Sequence, residues 1–383
     1  MTTKNYSEYL LENFRDHGKI GVDGGSQPLF LQVSSTCNAR CIFCAEKNNP
    51  WKTKVAPLRD VSEAERVVHA TDKHFAGDVE LVRTYPGTVS EGEPLIHPRL
   101  IEIVAIVRRK FPSNRIWLDT NGALLTNSLL QSLSDFGNIH IRLSLPSYKQ
   151  KLWQKSFQVL TEAHYQTAMN SIGIADRLNG VTLHPTTVVM PAWYGYDELS
   201  NFVSWLSENF ASWDVYSPGY TKYTDPQVAQ LLKYDDAELS YFLNSCALKT
   251  GLLIQWDLDP ELPLYIPGLR EQLKLIAGQP VTLLTSQVAE NRVIGYVSSC
   301  LTGLCLQAKV KLVTNEFFGG NIGIAELWAI SDIDRAVKDL PAQTVILPGG
   351  FMDRFGYDLE GNNFIDYEKQ SQHEYIFMEG KNN

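Results

Sequence analysis

The sequence predicts an α/β protein: a partial (βα)6 TIM-like barrel followed by a smaller C-terminal α/β domain. Three observations predict it. Short apolar runs alternate with segments of helical period across residues 28–225. That alternation implies parallel strands joined by right-handed crossovers. A proline-rich stretch, DPELPLYIPG (259–268), marks a boundary. A chain of 383 residues also exceeds one average core, so a second domain is expected. The expected organisation is an N-terminal helical extension (1–27), the barrel (28–225), a helical connector (226–268) and the small domain (269–383).

In order, Leu29, Phe30, Leu31 and Val33 form an apolar run that predicts the first, buried strand. A helix is expected from Ser62, with Ser62 and Glu65 as a capping box and Gly77 closing it. VELVRTY (79–85) alternates as a second strand. LIEIVAIVRRKF (100–111) reads as an amphipathic helix whose Arg108-Arg109-Lys110 end faces solvent and complements the helix dipole. RIWLDTNG (115–122), IHIRLSLPS (139–147), VTLHPTTVVMP (181–191) and WDVYSPGY (213–220) supply strands three to six. Beyond 269 follow a helix (LREQLKLIAG), the runs VTLLTS, RVIGYV and KVKLVTNEFFGGNIGIAELW, a helix from Ser331 to Leu340, and TVILPGGF.

Composition narrows the function. The net charge of −9, from 34 basic and 43 acidic side chains, does not suit a nucleic-acid groove. No apolar run reaches the roughly 18 residues of a membrane span. The N-terminus is polar and lacks an apolar signal core, so a cytoplasmic address is expected. Six cysteines in a chain this long do not make a secreted disulfide framework.

Cys37, Cys41 and Cys44 stand in the spacing C-x3-C-x2-C directly after the first strand. Three thiolates on a tight loop can hold three corners of a metal or iron–sulfur site. A structural zinc ion would want a fourth Cys or His, and no such partner motif is evident. In a partial barrel, the loop sits at the C-terminal end of strand one, where such barrels carry their chemistry.

This spacing, with Phe43 before the last cysteine, resembles the signature of the radical S-adenosylmethionine (SAM) superfamily. The resemblance implies a [4Fe–4S] cluster on Cys37, Cys41 and Cys44, with SAM chelating the fourth iron. Ser90-Glu91-Gly92-Glu93-Pro94 resembles the superfamily's Gly-Gly-Glu-Pro motif, with Glu91 in place of the first glycine. The expected SAM contacts are Phe43, Glu91, Gly92, Glu93, Arg142, Ser144 and Tyr216. Arg142 and Ser144 lie two apart on strand four and so share a face. Asn121 reads as a turn former as readily as a ligand contact, and His97, His140 and His184 as structural. The implied enzyme, an oxidoreductase, cleaves SAM reductively to a 5′-deoxyadenosyl radical that abstracts hydrogen from substrate. A small-molecule substrate is expected, and an electron donor such as flavodoxin or ferredoxin. The alternative is an iron–sulfur electron carrier or sensor that leaves SAM intact.

Cys246 falls on an apolar helical stripe with Leu239, Phe242 and Leu243, so a core thiol is expected. Cys300 and Cys305 pose the question of a second cluster, but SSCLTGLCLQA reads equally as buried. The run Val313–Gly320, with TVILPGGFMDRFG beyond it, resembles a domain of unknown function found after radical SAM cores.

Overall fold

The computed structural model describes residues 29–44 except 32 and 35, 60–81, 92–256 and 280–378, the last with breaks at 288, 291–292, 296, 298–307, 324, 349–350 and 353–355. Its larger sheet runs in chain order: β1 (Leu29–Phe30), β2 (Val79–Glu80), β3 (Ile116–Thr120), β4 (Ile139–Ser144), β5 (Val181–Val188), β6 (Ser212–Tyr216) and β7 (Leu253–Trp256). Every neighbouring pair is parallel. Parallel strands in unbroken order are the geometry of a barrel wall. Six strands match the expected order. The seventh lies inside the stretch read as a helical connector and extends the wall by one strand.

The intervening helices are α1 (Val61–Ala70), α2 (Leu100–Lys110), α3 (Asn127–Ser134), α4 (Gln150–Phe157), α5 (Glu162–Ala175), the single turn α6 (Pro191–Tyr194), α7 (Tyr196–Asn209), α8 (Pro226–Leu231) and α9 (Asp236–Thr250). They cover one face of the sheet. Ile116, Leu118, Ile139 and Ile141 share a core there with Ala64 and Val68 of α1 and Ile103 and Val107 of α2. Trp213 and Val215 share a second with Phe202 and Leu206 of α7 and Leu239, Leu243 and Cys246 of α9. Cys246 is thus the core thiol its helical stripe implied. Cys300 and Cys305 lie outside the described residues.

Local details differ from expectation. Asp60, not Ser62, caps α1: its carboxylate accepts from Ser62 N, and the helix ends at Ala70 rather than near Gly77. Arg108 does not simply face solvent. It donates to the carbonyls of Phe111 (3.0 Å), Asn114 (2.8 Å) and Gly137 (2.7 Å), tying the end of α2 to the β3–β4 region.

The smaller sheet has order β11-β10-β8-β9, all parallel: β8 (Val281–Thr285), β9 (Ala308–Leu312), β10 (Thr344–Pro348) and β11 (Glu374–Met378). Helices α10 (Ile330–Val337) and α11 (Phe364–Glu368) accompany it. Its core joins Leu284, Trp328, Ile333, Val345, Phe351, Phe364 and Phe377. Among the described residues no helix is long and apolar enough to cross a membrane.

Candidate functional site

The cysteine loop leaves β1 at the carboxyl edge of the larger sheet and is pinned from two sides. Arg40 N donates to Phe157 O (3.1 Å) and Ile42 N to Ser156 O (2.9 Å), both at the end of α4. Phe43 meets Phe157 edge-on, with ring centroids 6.2 Å apart. Cys44 N closes a turn on Cys41 O (3.3 Å). Cys37 is exposed, and Cys41 and Cys44 are half-buried. Burial, then repulsion from Cys44 and Cys37, pushes the Cys41 thiol well above its ordinary range. Repulsion among the three thiols opposes charging all of them at once.

The second pin is the Gly92-Glu93 segment. Glu93 N donates to Thr36 O (2.7 Å). A Cβ added at Gly92 would lie 2.5 Å from Thr36 O and 2.7 Å from Ser34 O, so only glycine fits this approach. Glu93 is buried. Its carboxylate accepts from Thr120 Oγ1 (2.7 Å), Asn121 N (2.9 Å) and Leu95 N (3.2 Å). Asn121 in turn donates through Nδ2 to Asn38 Oδ1 (2.7 Å), inside the cysteine loop. A hydrogen-bonded chain therefore runs from Glu93 through the end of β3 to the residue beside Cys37. Asn121 is the participant that turn chemistry alone does not single out. Its Thr-Asn-Gly context was the only signal. Glu91 lies outside the described residues.

Burial raises the Glu93 carboxyl from 4.5 to about 7, against the pull of its three donors. The folded chain therefore holds a proton between pH 4.5 and 7 that the unfolded chain has lost. Stability falls as pH rises through that interval, by roughly 3 kcal/mol from this one group. In chain free of cluster and SAM, Glu93→Gln flattens that fall. Urea melts of both proteins at pH 5 and pH 8 check it; equal pH dependence would remove the assignment.

The inward face of the sheet is polar. β4 alternates buried and half-buried residues, placing His140, Arg142 and Ser144 together on that face. Arg142 binds Asp119 (Nη1–Oδ1, 3.1 Å) and Glu80 (Nη2–Oε1, 3.3 Å), and lies 4.3 Å from the centroid of the Trp117 ring. Burial alone would lower its pKa; Asp119 and Glu80 outweigh that and keep it a cation. His140 Nδ1 and His184 Nε2 are 3.0 Å apart, and both rings pack against Trp117. Burial, then the neighbouring His140 and Arg142, lowers His184 to about 4, so the pair is neutral at pH 7. These side chains form a floor in the lower half of the wall. Ser144 and Tyr216 stand above it, at the carboxyl ends of β4 and β6. His97, by contrast, accepts from Arg99 N (3.1 Å) and takes part in a turn.

The donor set of the loop is three cysteine thiols, Cys37, Cys41 and Cys44. Among the described residues no group of three or more His, Cys, Asp or Glu is gathered closely enough for one metal ion. Three cysteines within eight residues of one loop can each ligate a separate iron of a cluster. The close approach of Gly92 to Ser34 O and Thr36 O fixes the Gly92-Glu93 segment against the chain that leads into the thiol loop.

Comparison with known proteins gives the same assignment. Residues 31–198 match the sequence model of the Radical SAM superfamily. A GTP 3′,8-cyclase from Lactiplantibacillus plantarum is 23% identical over 179 residues, covering 47% of this chain and 50% of that protein. A tungsten-containing aldehyde ferredoxin oxidoreductase cofactor-modifying protein from Pyrococcus furiosus is 29% identical over 109 residues, covering 28% of each chain. The chain spans half or less of the length of these curated relatives. Among solved structures, Streptococcus suis SuiB bound to precursor peptide SuiA aligns at 17% identity and a TM-score of 0.44, over 60% of this chain and 48% of that one. Residues 31–198, with Cys37, Cys41 and Cys44 among them, belong to the radical SAM superfamily.

Proposed function

We propose that this chain is a radical SAM enzyme acting on a small molecule. The observation that carries the reading is the cysteine loop itself, set at the carboxyl edge of a parallel barrel wall and pinned by Gly92 and Glu93. Cys37, Cys41 and Cys44 would hold a [4Fe–4S] cluster. Such a cluster would supply the one-electron reduction of the SAM sulfonium that yields methionine and a 5′-deoxyadenosyl radical.

The chain's own residues bind and orient. The backbone around Gly92 offers carbonyls to the SAM ammonium, with the Glu93 carboxylate behind them. Phe43 flanks the cysteine turn. Ser144 and Tyr216, on the inward face, would touch the sugar and the base. Arg142, held by Glu80 and Asp119, shapes the floor beneath them. The half-buried aromatic and histidine floor closes the wall beneath that site and limits the water reaching it from below, as a carbon radical requires.

Relatives named for GTP cyclisation and for cofactor modification support a small-molecule substrate in cofactor biosynthesis. The substrate itself would be identified by its hydrogen-abstraction product. Anaerobically reconstituted protein should contain about four irons per chain, the number in one [4Fe–4S] cluster. SAM should change the EPR signal of the reduced cluster, and 5′-deoxyadenosine should form under reduction. A full cluster whose EPR signal ignores SAM would favour the electron-carrier reading instead. Protein that takes up no iron would end both. A content near eight irons would reveal a second cluster, with Cys300 and Cys305 as its first suspects.

A further inference from the structure

The loop Asn315–Asn321 of the smaller domain leaves the carboxyl end of β9 and meets segment 218–222, which leaves the carboxyl end of β6. The contact is backbone on backbone. Asn321 N donates to Tyr220 O (3.1 Å), and Lys222 N to Phe318 O (2.7 Å). The Asn321 side chain completes it: Oδ1 accepts from Tyr220 N (2.7 Å) and Nδ2 donates to Pro218 O (2.9 Å). Lys222 Nζ donates to Glu316 O (2.8 Å). Gly320 sits at φ +67°, and a Cβ there would overlap Tyr220 O. So close an approach is a built joint, not a chance touch.

Both sides of the joint are fixed. Behind it, the buried Asp332 accepts from Glu316 N (2.9 Å) and Phe317 N (3.1 Å), while Asn315 Oδ1 accepts from Phe318 N (2.9 Å). In front of it, Tyr220 packs on the small apolar cluster of Ile42, Met190 and Leu232, with Phe43 and Trp193. Ile42 lies within the cysteine loop, between Cys41 and Cys44. A continuous path thus joins α10 of the smaller domain to the turn that carries two of the three thiols.

We propose that the smaller domain is a positioning element for the cysteine loop, with Asn321 as its positioning residue. Asn321 holds Pro218–Tyr220 in place, and the Tyr220 ring packs against the apolar cluster that includes Ile42. This rests on the radical SAM reading for its purpose but not for its geometry. It gives the Asn-Glu-Phe-Phe-Gly-Gly-Asn run a role that its resemblance to a domain of unknown function does not supply.

Hydrogen exchange on the cluster-free chain tests it. Asn321→Asp keeps the acceptor facing Tyr220 N but sets an oxygen against Pro218 O. Exchange at 218–222 and at 38–44 should rise together, by about tenfold, as expected for losing one or two hydrogen bonds. Strands 281–285 and 344–348 should stay protected. Tyr220→Ala should reproduce the effect at 38–44 and Tyr220→Phe should not; this pair also serves if Asn321→Asp does not fold. Gly361→Ala is the control: it strains a residue at φ +84° in the same domain with nothing within 4 Å of the new Cβ, and should leave 38–44 unchanged. In loaded protein, Asn321→Asp should speed iron loss to a chelator several-fold. Increased exchange at 218–222 with none at 38–44 would overturn the proposal. Wild type that binds no iron yet keeps the coupled exchange would sink the enzyme reading and leave the positioning role standing.

Discussion

Gly92→Ala should cost the protein its SAM response, and much of its iron, without unfolding the barrel. The neighbours of the new methyl are backbone atoms, Thr36 O at 2.5 Å and Ser34 O and Thr36 N at 2.7 Å. Side chains can rotate out of the way; these cannot. The exit of β1 must therefore shift, and with it Cys37, the next residue. Overpacking of this kind costs about 1–3 kcal/mol, enough to weaken SAM binding roughly tenfold or more. Iron and sulfide content, together with a SAM titration followed by EPR, measures it. Gly173→Ala is the matched control. It lies in α5 with nothing within 4 Å of its Cβ, and there alanine is the better helix former. If Gly92→Ala bound SAM and iron like wild type, the close approach of the two segments would have no role in the site.

The parts of this molecule that were legible in the sequence are those with local signatures. Period-2 alternation in IHIRLS placed Arg142 and Ser144 on one face, and the burial of β4 alternates accordingly. The cysteine spacing placed the site, because a three-thiol loop is contiguous in the chain. What was not legible depends on partners distant in sequence. Nothing near Arg142 announces Glu80 and Asp119, which come from 62 and 23 residues away. His140 and His184 meet only because β4 and β5 pair in one register. β7 was missed for a different reason. LIQW is four residues long and its Leu253 is 58% exposed, so it has neither the length nor the apolar run of a buried strand. The Gly319-Gly320 pair was visible as a motif, but its purpose appears only where it meets Tyr220.

A barrel interior lined with charge raises the question of what holds its lower half together, and Arg142 answers it. Arg142→Met should be among the most destabilising single changes in the barrel. The substitution keeps much of the volume and removes the guanidinium that Glu80 meets inside the wall. Glu80 is 7% exposed and cannot turn to water. Breaking one side of a buried ion pair costs about 3–5 kcal/mol, because the charge left behind stays desolvated after its counter-ion has gone. That exceeds the 0–1 kcal/mol of a typical surface pair, and is roughly a 10 °C loss of Tm for a domain of this size. Arg142→Lys should fall between, since a lysine keeps the charge but neither the fork reaching two carboxylates nor the flat stack on Trp117. Glu80→Gln combined with Arg142→Met should lose less than the sum of the single changes, because Glu80→Gln neutralises the carboxylate from which Arg142→Met takes the guanidinium. Thermal melts of the cycle in cluster-free protein decide it. A loss below about 1 kcal/mol in Arg142→Met would mean the guanidinium behaves as a solvated surface charge, and the floor of the barrel would need another explanation.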